Sequence, residues 1–338
     1  MARMKATVAA LMADAKGLLA MDESNGTCNQ RFASAGIAQT AAMRRAYREL
    51  LLSTPNLSEC IGGVILYDET IRQAAADGRP FAQLARDAGL LVGIKVDTGA
   101  KDLAAHPGEK ITEGLDGLRE RLQAYAGMGA SFAKWRGVFA VGEAGHHPSP
   151  ACIAANAHAL ARYAALCQEA GLVPIIEPEV LMDGSHTQAR CQQVSEAVLR
   201  SVFEQLARQG VVLEAMLLKP NMVIAGLACA TQNTANEVAI ATLQSLRRVV
   251  PAAVPGIAFL SGGQSGELAS ARLNAMSRGV ALPWALSFSF ARAIQHPALE
   301  IWAGEDANRE AAQAALLHRV RCNRAALKGQ YSAAMEVP

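Results

Sequence analysis

Short apolar runs recur along the chain, with enough residues between them for helices. Each run is rich in Val, Ile, Leu or Phe and has the length of a strand covered on both faces. The eight runs occupy residues 17–22, 61–68, 90–97, 131–139, 172–180, 214–223, 254–263 and 282–290. The pattern predicts eight buried, parallel strands.

The segments between the runs carry helical signals. Apolar residues of 39–53 fall on one helical face, and Thr234 and Glu237 have the spacing of a capping box. The stretches 69–89 and 98–112 are too long for simple connections, and we expect turns or irregular structure within them. Most connections between the predicted strands are therefore helices.

Alternation of strands and helices favours an α/β fold, namely a (β/α)₈ TIM barrel. We expect one barrel domain over residues 1–338, with about 332–338 as a short C-terminal tail. The alternative is an open, doubly wound sheet. It is disfavoured because no G-x-G-x-x-G motif follows the first run and because the runs number eight.

Composition and charge narrow the functional classes. The chain is 51% hydrophobic and 18% charged, with a net charge of +2, so it has no electrostatic footprint for nucleic acid or an anionic membrane. Its seven cysteines include no C-x-x-C pair, and its histidines lack ligand spacing with one another. We therefore expect reduced thiols, no metal, and a soluble protein of the cytoplasm.

Polar or charged residues end nearly every apolar run. The strand C-termini of a TIM barrel form the mouth where catalysis takes place, and residues i and i+2 of a strand share a face. Several cations and carboxylates are therefore expected to converge on one pocket. The residues concerned are Asp22, Asp68, Lys95, Asp97, Lys134, Arg136, Glu177, Glu179, Lys219, Ser261 and Ser289.

Some of these positions also fit a purely structural role. A single charge at a strand end is usually the chain emerging into solvent, and we favour that interpretation for Asp68. Both interpretations stand for Asp97, whose carboxylate could orient Lys95. The tripeptide at 261–263 could be a simple turn, but it lies where barrels commonly bind phosphate through backbone N–H groups.

Lys219 suggests amine catalysis, because burying a lysine without a function is costly. With Lys134 nearby as a second cation, its neutral amine would be favoured and could attack a carbonyl. The resulting iminium would withdraw electrons from a neighbouring C–C bond. Glu177 could move protons while the iminium forms, and Asp22 could act on a substrate hydroxyl. The groups that would hold anionic ends are Lys95, Arg136 and the Ser261 loop.

Eight motifs carry a resemblance to a known family. In chain order they are MDESNGT, IGGVIL, GIKVD, FAKWR, IIEPE, LLKPNMV, FLSGGQS and PWALSFSFARA, between about residues 17 and 331. The chain resembles the class I fructose-bisphosphate aldolases. The resemblance implies a TIM barrel, a homotetramer, and reversible cleavage of fructose 1,6-bisphosphate to dihydroxyacetone phosphate and glyceraldehyde 3-phosphate. Such a lyase serves glycolysis and gluconeogenesis through a lysine Schiff base, without a metal or organic cofactor.

The resemblance also implies residue roles. Lys219 corresponds to the Schiff-base lysine, Glu177 to the principal acid/base, and Asp22 to the carboxylate that handles the C4 hydroxyl. Lys134 and Glu179 correspond to supporting catalytic groups. The implied substrate-binding residues are Ser24, Thr27 and Lys95 at the 6-phosphate, Ser261, Gly262 and Arg292 at the 1-phosphate, and Arg31, Arg136, Gly263 and Ser289 near them.

The chain departs from the family pattern at a few positions. Gln30 stands where the family usually has a lysine, and Phe290 and Ala291 stand where tyrosine or serine and then glycine are common. The sequence stops at Pro338, before the tyrosine that ends a longer tail in many relatives, and we expect Tyr331 to pack at the end of the last helix.

Two alternatives to fructose 1,6-bisphosphate cleavage stay open at this point. One is a Schiff-base aldolase for another phosphorylated ketose, such as sedoheptulose 1,7-bisphosphate or fructose 1-phosphate. The other is a barrel kept as a scaffold without catalysis. The presence of Lys219, Glu177, Asp22 and Lys134 argues against the scaffold.

Overall fold

Eight parallel strands close into a barrel in the computed structural model of this protein, which describes residues 1–142, 147–279 and 281–336. The eight barrel strands and a separate pair, β4 and β5, are numbered together along the chain. They are β1 (Gly17–Ala20), β2 (Ile61–Leu66), β3 (Leu91–Lys95), β4 (Gly99–Asp102), β5 (Lys110–Glu113), β6 (Phe132–Phe139), β7 (Val173–Val180), β8 (Leu217–Leu218), β9 (Gly256–Phe259) and β10 (Ala285–Phe290). Around the barrel the order is β1, β2, β3, β6, β7, β8, β9 and β10, and β10 pairs back with β1.

Each strand of the barrel lies within one of the apolar runs, so the predicted (β/α)₈ architecture is confirmed. The shortest strand is β8, which covers only two residues. Pro220 has no N–H and so cannot donate a further hydrogen bond to β7. The last hydrogen bond from this segment to β7 runs from the N–H of Lys219 to the carbonyl of Ile176 at 2.8 Å. Lys219 therefore enters the barrel mouth from a short, firmly paired strand.

Helices surround the barrel. They are α1 (Ala2–Leu11), α2 (Asn25–Ser34), α3 (Ala41–Leu52), α4 (Asp68–Ile71), α5 (Phe81–Asp87), α6 (Leu118–Gly127), α7 (Pro150–Glu169), α8 (Gln188–Arg208), α9 (Ala235–Val249), α10 (Gly266–Ser277), α11 (Arg292–Trp302) and α12 (Arg309–Leu327). Short 3₁₀ turns occur at Ala13–Ala15, Leu57–Glu59, Leu213–Ala215, Asp306–Asn308 and Ala333–Glu336.

The helix signals are confirmed where they were strongest. Thr40 caps α3, and Thr234 and Glu237 form a reciprocal capping box at the start of α9. The stretch 98–112 is more regular than expected, because it holds an antiparallel hairpin of β4 and β5. Its residues are mostly exposed, so the apolar alternation that reveals a buried strand is absent there.

The barrel interior changes from apolar to charged along its axis. Its floor is a buried cluster that includes Leu18, Phe132, Val173 and Leu217, closed at the N-terminal end by α1. Gly93 makes room for the Phe132 ring, since a Cβ at that position would lie 2.0 Å from a ring carbon. Interactions between charged groups above this apolar floor are therefore weakly screened.

Two further observations concern the whole chain. All seven cysteines are free thiols, and six of them are buried. Within the described ranges, no helix combines the length and the apolar character that crossing a membrane requires.

Candidate active site

A cavity of about 610 Å³ opens at the C-terminal ends of the barrel strands. The structure brings all the predicted site residues together in its lining. They are Asp22, Ser24, Thr27, Arg31, Lys95, Lys134, Arg136, Glu177, Glu179, Lys219, Ser261, Gly262, Gly263, Ser289 and Arg292.

Strand register places the central charges. Lys134 and Arg136 lie two residues apart on β6, so they share the inner face, and Glu177 and Glu179 do the same on β7. Arg136 pairs with Glu177 in the β6–β7 ladder. Lys219 follows β8 directly, on the other side of β7. Two carboxylates of one strand thus lie between cations of its neighbours.

Four side chains form a continuous row of alternating charge, which we call the charge row: Asp22, Lys134, Glu177 and Lys219. The Nζ of Lys134 lies 2.7 Å from Asp22 Oδ2 and 2.9 Å from Glu177 Oε2. The Nζ of Lys219 lies 3.0 Å from Glu177 Oε1. Each of the four residues is at most 7% exposed. The charges of two lysines and two carboxylates cancel, and these ion pairs offset the desolvation cost of burying them.

The charge row shifts the proton affinities of its members. Burial opposes ionisation of Asp22, but Lys134 and Lys219 outweigh it and lower the pKa of Asp22 to about 2. Burial likewise opposes ionisation of Glu177, yet the same two lysines bring its pKa below the ordinary value. Burial favours neutral Lys134, but Asp22 and Glu177 raise the pKa of its ammonium well above the usual range. Lys134 is therefore a permanent cation.

The position of Lys134 refines the expectation from the sequence. Two cations side by side were expected to favour the neutral amine of Lys219. In the structure the carboxylate of Glu177 contacts both ammonium groups, one with each oxygen. Glu177 is thus within reach of a proton on Lys219 while it is anchored by Lys134.

A second carboxylate, Asp97, orients a cation at the rim. The Nζ of Lys95 lies 2.6 Å from Asp97 Oδ1, and the other oxygen of Asp97 accepts from the Arg136 N–H at 3.2 Å. The orienting role left open for Asp97 is what the geometry supports. Asp68 lies outside the cavity lining, where it pairs with Arg72 at 2.8 Å, in line with the structural role expected for it.

The loop after β9 and the start of α11 form one polar side of the cavity. Gly262 and Gly263 have φ values of +51° and +83°, in the left-handed region that favours glycine. A Cβ on Gly262 would lie 1.4 Å from Met182 Cε, so a side chain there would displace the end of Met182 and strain the backbone at this φ. Arg292 is the first residue of α11, where the helix dipole adds to its charge.

The hydroxyl of Ser289 belongs to the same side of the cavity. Ser289 is buried on β10, and its Oγ has no hydrogen-bond partner among the residues that the structure describes. A buried hydroxyl without a partner is costly, and here it lines the cavity. It is therefore available to a polar ligand.

The N-terminus of α2 forms a second polar side. Ser24 caps this helix by accepting from the N–H of Thr27 at 3.3 Å, and Arg31 lies further along the same helix. Gln30, the position at which the family usually has a lysine, also lines the cavity and is exposed. A neutral amide thus replaces a cation at this side of the site.

Sequence reasoning missed Glu23. Its buried carboxylate binds Arg31 through Oε1 and lies 2.6 Å from Arg48 Nη1 through Oε2. Burial opposes its ionisation, but Arg31 and Arg48 lower the pKa of Glu23. The only signal in the sequence is its place beside Asp22, because its pairing with Arg48 depends on how α3 packs.

Comparison with known proteins agrees with this geometry. A family model described as fructose-bisphosphate aldolase class-I matches residues 3–337. The chain belongs to the class I fructose-bisphosphate aldolase family. The resemblance seen in the motifs is therefore confirmed, and with it the expectation of a Schiff-base aldolase fold and class.

Individual relatives extend over nearly the whole chain. A protein named probable fructose-bisphosphate aldolase class 1 from Xanthomonas campestris pv. campestris is 53% identical over 326 residues, which cover 96% of this chain and 97% of the relative. Fructose-bisphosphate aldolase from Dictyostelium discoideum is 48% identical, with 97% and 92% covered. The solved structure of fructose-bisphosphate aldolase from Plasmodium falciparum, in a complex with TRAP and a small-molecule inhibitor, superposes with a TM-score of 0.96 at 43% identity, covering 98% of this chain and 96% of that one.

Tyr331 lies away from the cavity. It is buried beyond the end of α12, where its hydroxyl donates to Glu336 Oε1 at 2.8 Å and its N–H donates to Asn274 Oδ1 at 3.0 Å. It packs at the helix end, as expected. Of the tail 332–338, residues 337 and 338 lie outside the described residues.

The pKa of Asp22 leads to a prediction about acid stability. The folded value of about 2 lies below the ordinary value of 3.8, so Asp22 stabilises the fold above pH 3.8 and loses that contribution as the pH falls towards 2. Across this pH window, the free energy of unfolding should fall by roughly 2 kcal/mol less in Asp22→Asn than in the unmodified protein. Denaturant titrations at pH values between 4 and 2 measure it.

The matched control is Asp306→Asn, because the side chain of Asp306 is 84% exposed. This variant should follow the pH dependence of the unmodified protein. If Asp22→Asn and Asp306→Asn gave the same curve, Asp22 would not be held ionised by the charge row.

Proposed function

We propose that this chain cleaves fructose 1,6-bisphosphate reversibly to dihydroxyacetone phosphate and glyceraldehyde 3-phosphate, with Lys219 as the Schiff-base nucleophile. The observation that carries the proposal is the 3.0 Å contact of Lys219 Nζ with Glu177 Oε1 in a buried row that also contains Lys134 and Asp22. Membership of the class I fructose-bisphosphate aldolase family supports it.

The first step is iminium formation. The neutral amine of Lys219 attacks the C2 carbonyl of the ketose, and the carbinolamine loses its hydroxyl as water. Glu177 takes a proton from the ammonium of Lys219, which frees that amine, and returns the proton to the departing hydroxyl. Lys134 and Lys219 both lower the pKa of Glu177, and the contribution of Lys219 is lost when its amine is neutral. The proton affinity of Glu177 thus rises when a proton donor is needed.

The second step breaks the C3–C4 bond. Asp22 accepts the proton of the C4 hydroxyl, the C3–C4 electron pair moves into the iminium, and an enamine and an aldehyde result. Asp22 is a weak base at rest, so its proton uptake accompanies bond cleavage, with the iminium drawing the electrons. Protonation of the enamine and hydrolysis by water then release dihydroxyacetone phosphate and regenerate Lys219.

The two polar sides of the cavity suit a substrate with two phosphates. We assign the 1-phosphate to Ser261, Gly262 and Arg292, where N–H groups, a cation and a helix start converge. We assign the 6-phosphate to the opposite side. The groups there are Ser24, Thr27 and Lys95, with Arg31 adjacent. Gly263 and Ser289 lie on the 1-phosphate side, and Arg136 and Glu179 also line the cavity.

A second candidate is a related ketose phosphate, such as sedoheptulose 1,7-bisphosphate or fructose 1-phosphate. One observation favours fructose 1-phosphate, which has no 6-phosphate: Gln30 places a neutral amide where the family usually has a cation, on the 6-phosphate side. Arg31, next in sequence, is already paired with Glu23. Weaker binding of the 6-phosphate would narrow the preference for the bisphosphate over a 1-phosphate.

The remaining assignments follow from the family. We propose that the enzyme is a homotetramer of the cytoplasm, that it serves glycolysis and gluconeogenesis, and that catalysis uses no metal or organic cofactor. Seven free thiols suit a reducing compartment. One barrel domain, residues 1–338, is the proposed catalytic unit.

Trapping the Schiff base tests the proposal. Incubation with dihydroxyacetone phosphate and borohydride should leave one stable adduct, on Lys219, because reduction traps only an iminium. Peptide mapping locates it, and Lys219→Met should lose both adduct and turnover. Lys110→Met, an exposed change outside the cavity lining, should keep both. An adduct on another lysine, or turnover abolished by EDTA, would contradict the assigned mechanism.

Gln30 generates a prediction about substrate affinity. Lysine would supply a full charge to a phosphate dianion, where glutamine supplies only neutral hydrogen bonds. Gln30→Lys should lower KM for fructose 1,6-bisphosphate by a few-fold, equivalent to roughly 0.5–1.5 kcal/mol, with kcat little changed. Gln39→Lys adds the same charge at an exposed position outside the cavity lining and should leave KM unchanged. Equal KM values for the two variants would show that residue 30 does not meet the phosphate.

A further inference from the structure

Three metal-ligating side chains lie together at the C-terminal end of the molecule. His318 and Cys322 are one turn apart on α12, and Glu336 comes from the turn Ala333–Glu336 that folds back on it. Their ligand atoms lie within 4.8 Å of one another. None of the three belongs to the lining of the catalytic cavity as the described residues outline it.

Both separations from the histidine nitrogen fit a tetrahedral ion. His318 Nε2 lies 3.6 Å from Cys322 Sγ and 3.5 Å from Glu336 Oε2. Zinc bonds of about 2.0–2.3 Å at tetrahedral angles separate nitrogen from sulfur or oxygen by about 3.4–3.6 Å. We propose that His318, Cys322 and Glu336 form a zinc-binding site, distinct from the Schiff-base centre.

The surroundings of Glu336 suit a metal ligand that is held in place. Tyr331 donates to its Oε1 at 2.8 Å, and Arg319 pairs with its Oε2. Ligating carboxylates are commonly oriented by such second contacts, and each carboxylate oxygen has two lone pairs. The positive charge of Arg319 also repels a cation. With three protein ligands and this repulsion, the site should bind zinc more weakly than a closed four-ligand structural site.

A bound ion would fix the tail to α12. Arg319, beside the site, donates to Ser270 Oγ on α10 at 2.8 Å. Gly266, where α10 begins, leaves space for the same guanidinium, since a Cβ there would lie 2.8 Å from Arg319 Nε. Zinc would thus cross-link the tail to α12, beside the Arg319 contact that already joins α12 to α10, and it should slow amide hydrogen exchange in the tail.

Metal binding to the full-length, tag-free protein tests the proposal. Co²⁺, used as a spectroscopic substitute for zinc, should bind one ion per chain and show a sulfur-to-cobalt charge-transfer band. Cys322→Ser should abolish the band. Affinity for zinc, from competition with a chromophoric chelator, should fall at least tenfold in His318→Ala and in Glu336→Gln. Glu336→Gln keeps the size of a partly exposed side chain but removes the charge that pairs with Arg319, so its circular dichroism spectrum must match that of the unmodified protein to separate loss of the site from misfolding of α12.

Two control variants exclude general metal binding. Cys229→Ser removes a half-buried thiol elsewhere, and His296→Ala breaks a histidine–glutamate pair at 3.4 Å that has no thiol. Both should keep the band and the zinc affinity. The proposal is overturned if the unmodified protein shows no charge-transfer band, if Cys322→Ser retains it, or if the controls lose affinity as much as Glu336→Gln. None of these variants alters the catalytic cavity, so turnover should be unaffected.

Discussion

The contact of the Lys134 ammonium with Asp22 and Glu177 is the interaction on which the active site depends. Each buried charge would cost several kcal/mol alone, and the row is tolerable because every member contacts an opposite charge. The same arrangement keeps Asp22 ionised and places Glu177 against Lys219. The burial of these charges and the chemistry proposed for them therefore depend on the same contacts.

Barrel geometry explains why these side chains meet. Alternation along β6 and β7 points every second residue inward, and the inward positions turn from apolar at the floor to charged at the mouth. The apolar floor keeps the local screening weak, so the charge row acts strongly on its members. Loops after β9 and around α2 then supply the polar groups that an anionic substrate requires.

Much of this could be predicted from the sequence, because strand periodicity, helix caps and strand-end charges are local signals. The hairpin of β4 and β5 was missed because its exposed strands show no apolar alternation. The Glu23–Arg48 pair and the contact of Glu177 with both lysines depend on packing between elements distant in sequence. The cluster of His318, Cys322 and Glu336 has no signature in the sequence, because Glu336 reaches α12 only when the tail folds back.

Titration of the Glu177 carboxyl shows whether Lys134 and Lys219 hold it ionised. Isotope-edited infrared spectroscopy of protein with labelled glutamate carboxyls, assigned by difference from Glu177→Gln, reports its pKa. We expect a pKa for Glu177 below the ordinary value of 4.5, and we expect it to rise when Lys134 is replaced by Met. A pKa at or above 4.5 in the unmodified protein, or one that does not move in Lys134→Met, would contradict this expectation.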